Sequence, residues 1–141
     1  MIRVAEEISG AAAVVALETT LVAHGFPPGE GVEVGLESER QVRAAGAVPA
    51  TVGVLDGEVR VGLTEEELGR FDVSARKAGP RDLGAAAAQG VVAATTVGGT
   101  LAVARVQGLE PARDVQLVRA NGRAETRIAQ EFVAFARERL P

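Results

Sequence analysis

Residues 14–25 read VVALETTLVAHG, and the reading of this stretch decides the fold. An apolar run from Ala11 to Leu17 follows Ser9-Gly10 and has the length and composition of a buried strand. Glu18 arrives where that run ends, followed by the hydroxyls of Thr19 and Thr20. His24, the one histidine of the chain, then precedes Gly25 and the breaker Phe26-Pro27-Pro28-Gly29. A carboxylate at a buried strand mouth is costly unless it is hydrogen-bonded or its pKa rises. In open α/β sheets that mouth is also where ligand crevices form. Glu18 is therefore the leading candidate for an acid or base, against the plainer alternative of a strand-end Glu reaching solvent. For His24 two roles are open. It could orient Glu18 or meet a ligand oxygen; the preferred reading is a turn histidine bonded to backbone, since it has no charged neighbour in sequence.

Outward from this stretch, the pattern alternates between sheet and helix. Helical spacing over Glu30–Ala45 ends at Gly46, with Glu33, Glu37, Arg40 and Gln41 on a solvated face and Glu39 interrupting the apolar stripe. Ala47–Leu55 reads as a strand, Asp56-Gly57 as a hairpin turn, and Glu58–Val61 as the return. Thr64-Glu65-Glu66-Glu67 has the form of a capping box opening a short helix. Val73–Arg76 is expected to be a short strand with Lys77 at its end, and Asp82 to cap or begin a short Ala-rich helix stopping at Gly90. Val91–Val97 is expected as a second buried strand, running into Gly98-Gly99-Thr100 and a helix over Leu101–Gln107. There Thr95, Thr96 and the glycine turn could seat a phosphate on backbone N–H groups, hydroxyls and a helix start, or the glycines could serve packing alone. From Pro111 to Leu140 the period is helical again, with Gly122 after Asn121 marking either a break or a close approach of something to the helix. The expected architecture is α/β, a mixed or mainly parallel sheet flanked by helices, in a single domain over residues 1–141.

Bulk composition narrows the function. The chain has 141 residues, 47% of them apolar, with four Phe as its only aromatics, so its core must be built from Ala, Val and Leu. A net charge of −4 without a basic block argues against nucleic acid and anionic membranes as partners. The absence of cysteine excludes disulfides, thiolate nucleophiles and Cys-ligated metals. No apolar run approaches the ~20 residues of a membrane span. The N-terminus MIRVAEEISG lacks the character of a signal peptide, so a cytoplasmic protein is expected. Lys77 is the only lysine.

These motifs together resemble the pseudouridine-5'-phosphate glycosidase family, the indigoidine synthase A-like proteins. VALETTLVAHGFP is similar to its opening signature, usually written ALEST-x-I-x-HG-x-P. The likeness continues through GAVPATVGVLDGEVRVGLTEEEL, ARKAGPRDL and ATTVGGTLAVA, and LVRANGRAETRIA resembles its closing helix. The resemblance implies reversible cleavage of the C–C glycosidic bond of pseudouridine 5'-phosphate to uracil and ribose 5-phosphate, with a Mn²⁺ ion. Matched motif by motif, Glu18 falls on the family's proton donor and Lys77 on a substrate-binding lysine. Val97 falls on a substrate-contacting backbone position, Thr96 lies in the same substrate-holding segment, and Asn121 matches a polar position of the closing helix. The family's Schiff-base lysine and metal-binding aspartate have no counterpart, because Gln107–Arg113 stands where the family has a long central stretch. A chain with one lysine cannot supply both amines. The chain is therefore expected to bind a phosphorylated nucleoside or sugar phosphate, to hold no Mn²⁺ and to be inactive alone. The alternatives are a non-catalytic sugar-phosphate-binding remnant or an oligomerisation module. Asp56, Asp72, Asp82 and Asp114 are spaced as turn and cap residues rather than as a metal pair. With strands of the family's sheet missing, an uncovered edge or apolar face should favour a homo-oligomer or an aggregation-prone monomer.

Overall fold

A computed structural model describes residues 1–106 of the chain. The elements in order are β1 (Ile2–Val4), a 3-10 turn (Glu6–Ile8), β2 (Val14–Glu18), α1 (Thr20–His24), α2 (Gly31–Ala44), β3 (Val48–Leu55) and β4 (Glu58–Val61). They continue with α3 (Glu65–Leu68), β5 (Arg76–Ala78), α4 (Leu83–Ala88), β6 (Ala93–Thr95) and α5 (Val97–Val106). The α/β expectation holds. One mixed six-stranded sheet runs β1-β4-β3-β6-β5, with β2 also on β3.

β3 organises the sheet because it is the longest strand and almost wholly buried. Its first half pairs in parallel with β2, Val14 opposite Val48 through Glu18 opposite Val52. Its second half turns at Asp56-Gly57 into antiparallel β4, Asp56 taking a φ of +52° and Gly57 one of +79°. On the side that β2 vacates, β6 pairs antiparallel with Gly53 and Val54. Pro49 is tolerated inside this central strand because β4 reaches only as far as Val52, so the missing N–H of proline faces no partner strand.

Side-chain alternation along β3 divides the core into two layers. Ala50, Val52 and Val54 pack with Ile8, Val59, Val61, Ala86 and Val103, beneath α4 and α5. On the other face Phe71, 1% exposed, lies with Leu63, Leu68, Val22 and Ala23 under α1, α2 and α3. Gly53 is required there: a Cβ at this position would run into the Phe71 ring. The capping box at Thr64 forms as read, the Thr64 hydroxyl accepting the Glu67 amide at 3.2 Å and Glu67 accepting the Thr64 amide at 3.0 Å. The four polar residues of α2 lie on its exposed side, Arg40 bridging Glu33 at 2.7 Å and Glu37 at 2.8 Å. Glu39, which breaks the stripe, turns toward the sheet and accepts the hydroxyl of buried Thr51.

Several boundaries differ from the sequence reading. The strand expected at Val73–Arg76 begins only at Arg76, because Asp72 accepts the Ser74 amide at 2.8 Å in a tight turn that leaves Val73 59% exposed. Lys77 is consequently the central residue of β5 rather than the residue after a strand. The strand expected over Val91–Val97 contracts to Ala93–Thr95, and the helix starts at Val97 instead of Leu101. Two glycines are poor helix formers, but Gly99 sits where a Cβ would lie 2.5 Å from the Ala78 carbonyl oxygen. Close packing of the first turn on β5 outweighs propensity. β1 and α1 were not legible as separate elements. The helical pattern from Pro111 to Leu140, with Gly122, and the single-domain reading extend outside the described residues.

Among the described residues an apolar groove of about 550 Å³ lies open against α4 and α5, lined among others by Ile2, Val59, Leu83, Ala87 and Val103. No helix among the described residues is long and apolar enough to cross a membrane.

Candidate active site

β2 and β6 run toward each other along the same side of β3, and their C-terminal ends meet at Val52. The meeting point is built from threonines. Thr19 donates its hydroxyl to the Val52 carbonyl at 2.8 Å, and Thr95 donates to the same oxygen at 2.7 Å. Thr19 Oγ1 also accepts the Thr95 amide at 2.8 Å. Since the Thr95 hydroxyl hydrogen is committed to Val52, the 2.9 Å contact with Thr100 must be a donation from Thr100 Oγ1. Thr20 closes the junction by donating to the Thr95 carbonyl at 2.9 Å. Thr19 and Thr95 are both 0% exposed and Thr100 is 4% exposed, so these hydroxyls face no solvent.

Glu18 is the last residue of β2, directly before this junction, and is half-buried. Burial raises its pKa above the ordinary glutamate value; the Leu21 amide, the Thr20 hydroxyl and the Lys77 charge pull the other way without cancelling that effect. Lys77 reaches this neighbourhood because β5 pairs with β6, Lys77 opposite Ala94. The lysine is exposed and the glutamate partly so, an arrangement that leaves both able to meet a ligand.

The phosphate seat expected from Thr95, Thr96 and Gly98-Gly99-Thr100 is only partly realised. The hydroxyls of Thr95 and Thr100 are consumed in the junction. Thr96 caps α5, accepting the Gly99 amide at 3.3 Å, and its hydroxyl leans on the Ala78 carbonyl at 3.4 Å. What faces outward is the start of the first turn, Val97 and Gly98, with Val97 62% exposed. Val97 is thus at a helix N-terminus, not at a strand end. Asn121 lies outside the described residues. His24 donates through Nε2 to the Ala75 carbonyl at 3.0 Å, since a carbonyl can only accept. That bond ties α1 to the segment two residues before Lys77, the backbone role preferred from the sequence.

For a divalent metal the described residues do not fit. Asp56 is engaged by Arg70 at 2.8 Å, Asp72 by Ser74 and Asp82 by the Gly79 amide at 2.9 Å. Among the described residues no three His, Cys, Asp or Glu side chains converge. Asp114 lies outside them.

The sequence pattern of the family described as Indigoidine synthase A like protein matches residues 3–113. The chain belongs to this family. Curated relatives named pseudouridine-5'-phosphate glycosidase include that of Chloroflexus aurantiacus, 45% identical over 117 residues, which covers 78% of this chain and 38% of the relative. That of Streptomyces griseus is 50% identical over 98 residues, covering 68% of this chain and 30% of the relative. Among solved structures, an indigoidine synthase A-like protein from Thermotoga maritima superposes with a TM-score of 0.70 at 35% identity, over 78% of this chain and 37% of its own. The prealnumycin C-glycosynthase AlnA, solved in complex with ribulose 5-phosphate, gives a TM-score of 0.66 at 38% identity, again over 78% and 37%. The chain spans between 30% and 38% of the length of these curated relatives.

Reasoning from sequence missed the role of Thr19, Thr95 and Thr100. A signal was present: two Thr-Thr pairs follow apolar runs, Thr95-Thr96 directly and Thr19-Thr20 after Glu18. Paired hydroxyls at two strand ends can satisfy one another where the strands converge.

Proposed function

We propose that this chain is the acid-bearing, sugar-phosphate-binding part of a pseudouridine-5'-phosphate glycosidase, working in the cytoplasm and inactive by itself. The observation that carries the reading is Glu18, a carboxyl with a raised pKa at a strand mouth beside an exposed lysine. Hydrolysis of pseudouridine 5'-phosphate breaks the bond between the sugar C1' and uracil C5, adds water across it and leaves a hydrogen on C5. Glu18 in its protonated form is suited to deliver that hydrogen. Lys77 and the outward first turn of α5 suit the phosphate, a cation and a helix start both favouring an anion. The solved relative holding a sugar phosphate supports the same ligand class.

Activating the sugar carbon through an iminium calls for an amine. With Lys77 binding phosphate, the chain has no second lysine for that task. Among the described residues nothing covers the groove beside α4 and α5, which favours association with further copies.

The test uses the 141-residue chain with ribose 5-phosphate and, separately, pseudouridine 5'-phosphate with added Mn²⁺. Millimolar ribose 5-phosphate should move the Val97 and Gly98 amide resonances, and Lys77→Ala should abolish the movement. Uracil release and a borohydride-reducible adduct should both be absent. Silent amides would overturn the binding assignment. Uracil release together with an adduct mapped to Lys77 would overturn the inactivity.

A further inference from the structure

The buried threonines hold together three pieces that begin far apart in the chain. Glu18 ends β2, Val97 and Gly98 begin α5, and Lys77 rides on β5 alongside β6. Thr19 is bound through its hydroxyl to β3 and through the Thr95 amide to β6. Thr100 anchors the first turn of α5 to Thr95, and α5 packs on β2. The Val52 carbonyl can only accept, so Thr95 and Thr19 both donate to it, and this leaves Thr100 to donate to Thr95; the Thr19 and Thr95 hydroxyl oxygens also lie 3.4 Å apart. Hydrogen bonds arranged head to tail away from solvent reinforce one another.

We propose that Thr19 is a positioning residue, forming with Thr95 and Thr100 a hydroxyl chain that fixes the Glu18 carboxyl relative to the first turn of α5. The inference rests on the functional reading above for the meaning of that placement, but not for its existence. Were the threonines only filling space, valine, nearly their equal in shape, would serve as well. What valine cannot do is accept the Thr95 amide or donate to Val52. The ends of β2 and β6 would then be free to separate, and Glu18 would gain access to water.

The experiment compares Thr19→Val and Thr100→Val with Thr19→Ser in the full chain. One readout is the titration of the Glu18 carboxyl carbon by NMR without ligand. The other is the ribose 5-phosphate dependence of the Val97 and Gly98 amide shifts. In Thr19→Val the Glu18 midpoint should fall toward that of an ordinary glutamate, and the ligand should bind about 2- to 10-fold more weakly, the range expected for one lost hydrogen bond. Thr100→Val should move both readouts in the same direction, and Thr19→Ser should restore them. Folded valine variants with unchanged midpoint and binding would overturn the proposal. If Thr19→Val does not fold, Thr100→Val decides; if neither folds, the threonines are structural alone and the positioning role is wrong. Wild-type amides that ignore ribose 5-phosphate would sink the binding reading, while the ligand-free Glu18 titration would still judge the hydroxyl chain.

Discussion

The hairpin end of the sheet and the junction of β2 with β6 are both rich in polar groups, yet they handle them in opposite ways. At the hairpin, Asp56 accepts Arg70 through both carboxylate oxygens at 2.8 Å and meets Arg60 at 3.2 Å. Arg60 also pairs with Glu67, which in turn accepts Arg3 at 3.3 Å. Every carboxylate there has a cation to answer it, and Arg70 holds Asp56 below the ordinary aspartate range. At the junction the buried groups are uncharged hydroxyls, and among the described residues the carboxyl beside them, Glu18, is pushed up by burial. Under the proposed function, density of charge is not what marks the site; the candidate acid is the carboxyl that burial leaves harder to ionise, because an acid must keep its proton to deliver it.

The largest effect that bears on this contrast should come from the core between the two regions. Phe71 lies on Gly53, one residue along β3 from the Val52 carbonyl that the threonines share. Phe71→Ala should destabilise the chain by about 3–5 kcal/mol in urea unfolding, the range for removing a buried aromatic ring. A loss below about 1 kcal/mol would mean that the two core layers do not rest on this ring.

Arg60 sharpens the contrast from the hairpin side. Its side chain is only 11% exposed and its Nε has no hydrogen-bond partner among the described residues, lying 3.7 Å from a Glu58 carboxylate oxygen. Arg60→Ala takes from Glu67, itself 14% exposed, one of its two cations, leaving it Arg3 at 3.3 Å and the Thr64 amide, and should lower stability by about 1–2 kcal/mol. The Glu18 titration should remain where it is. If it moved, the two polar regions would be one network and the contrast would collapse.

How much of this could be read from sequence follows from the physics of each signal. The Asp56-Gly57 turn and the Thr64 capping box depend on neighbours in sequence, and both appear as read; the strand read as buried over Ala11–Leu17 instead forms over Val14–Glu18, half-buried with Val15 40% exposed, because among the described strands it pairs only with β3. Glu18 was legible because the end of an apolar run and a carboxylate are adjacent. The start of α5 was not, since Gly98-Gly99 opposes helix formation and only the Ala78 carbonyl, some twenty residues earlier, explains why glycine sits there. Val73 was misplaced for a similar reason: its apolar character suggested a strand, while a two-residue Asp72–Ser74 bond turned it outward. The junction depends on Thr19, Val52 and Thr95 meeting across the sheet. Local pattern gives their types but not their convergence.

The smallest expected effect has a distinctive sign. Glu7, Glu37, Asp56 and Asp72 are all held below their ordinary pKa values by hydrogen bonds, from Arg43, Gln41, Arg70 and Ser74 respectively. Groups depressed in this way add stability above their unfolded pKa and lose it as the pH falls through the lower folded value. Glu18 runs the other way. Its folded pKa lies above the unfolded 4.5, so between those two values the folded state binds more protons and stability declines as pH rises. At neutral pH the ionised Glu18 is then a mild liability, discounted because the side chain retains contact with solvent. Glu18→Gln should leave stability below pH 4 nearly unchanged and raise it at pH 7 by less than about 1 kcal/mol, a difference readable as a small upward shift in Tm. The acid-side loss contributed by the hairpin carboxylates should persist in the variant. A Glu18→Gln chain that is less stable at pH 7 than at pH 4, relative to wild type, would mean that Glu18 is held ionised by a partner. It would then belong with the carboxylates of the hairpin, and the case for it as a proton donor would fail.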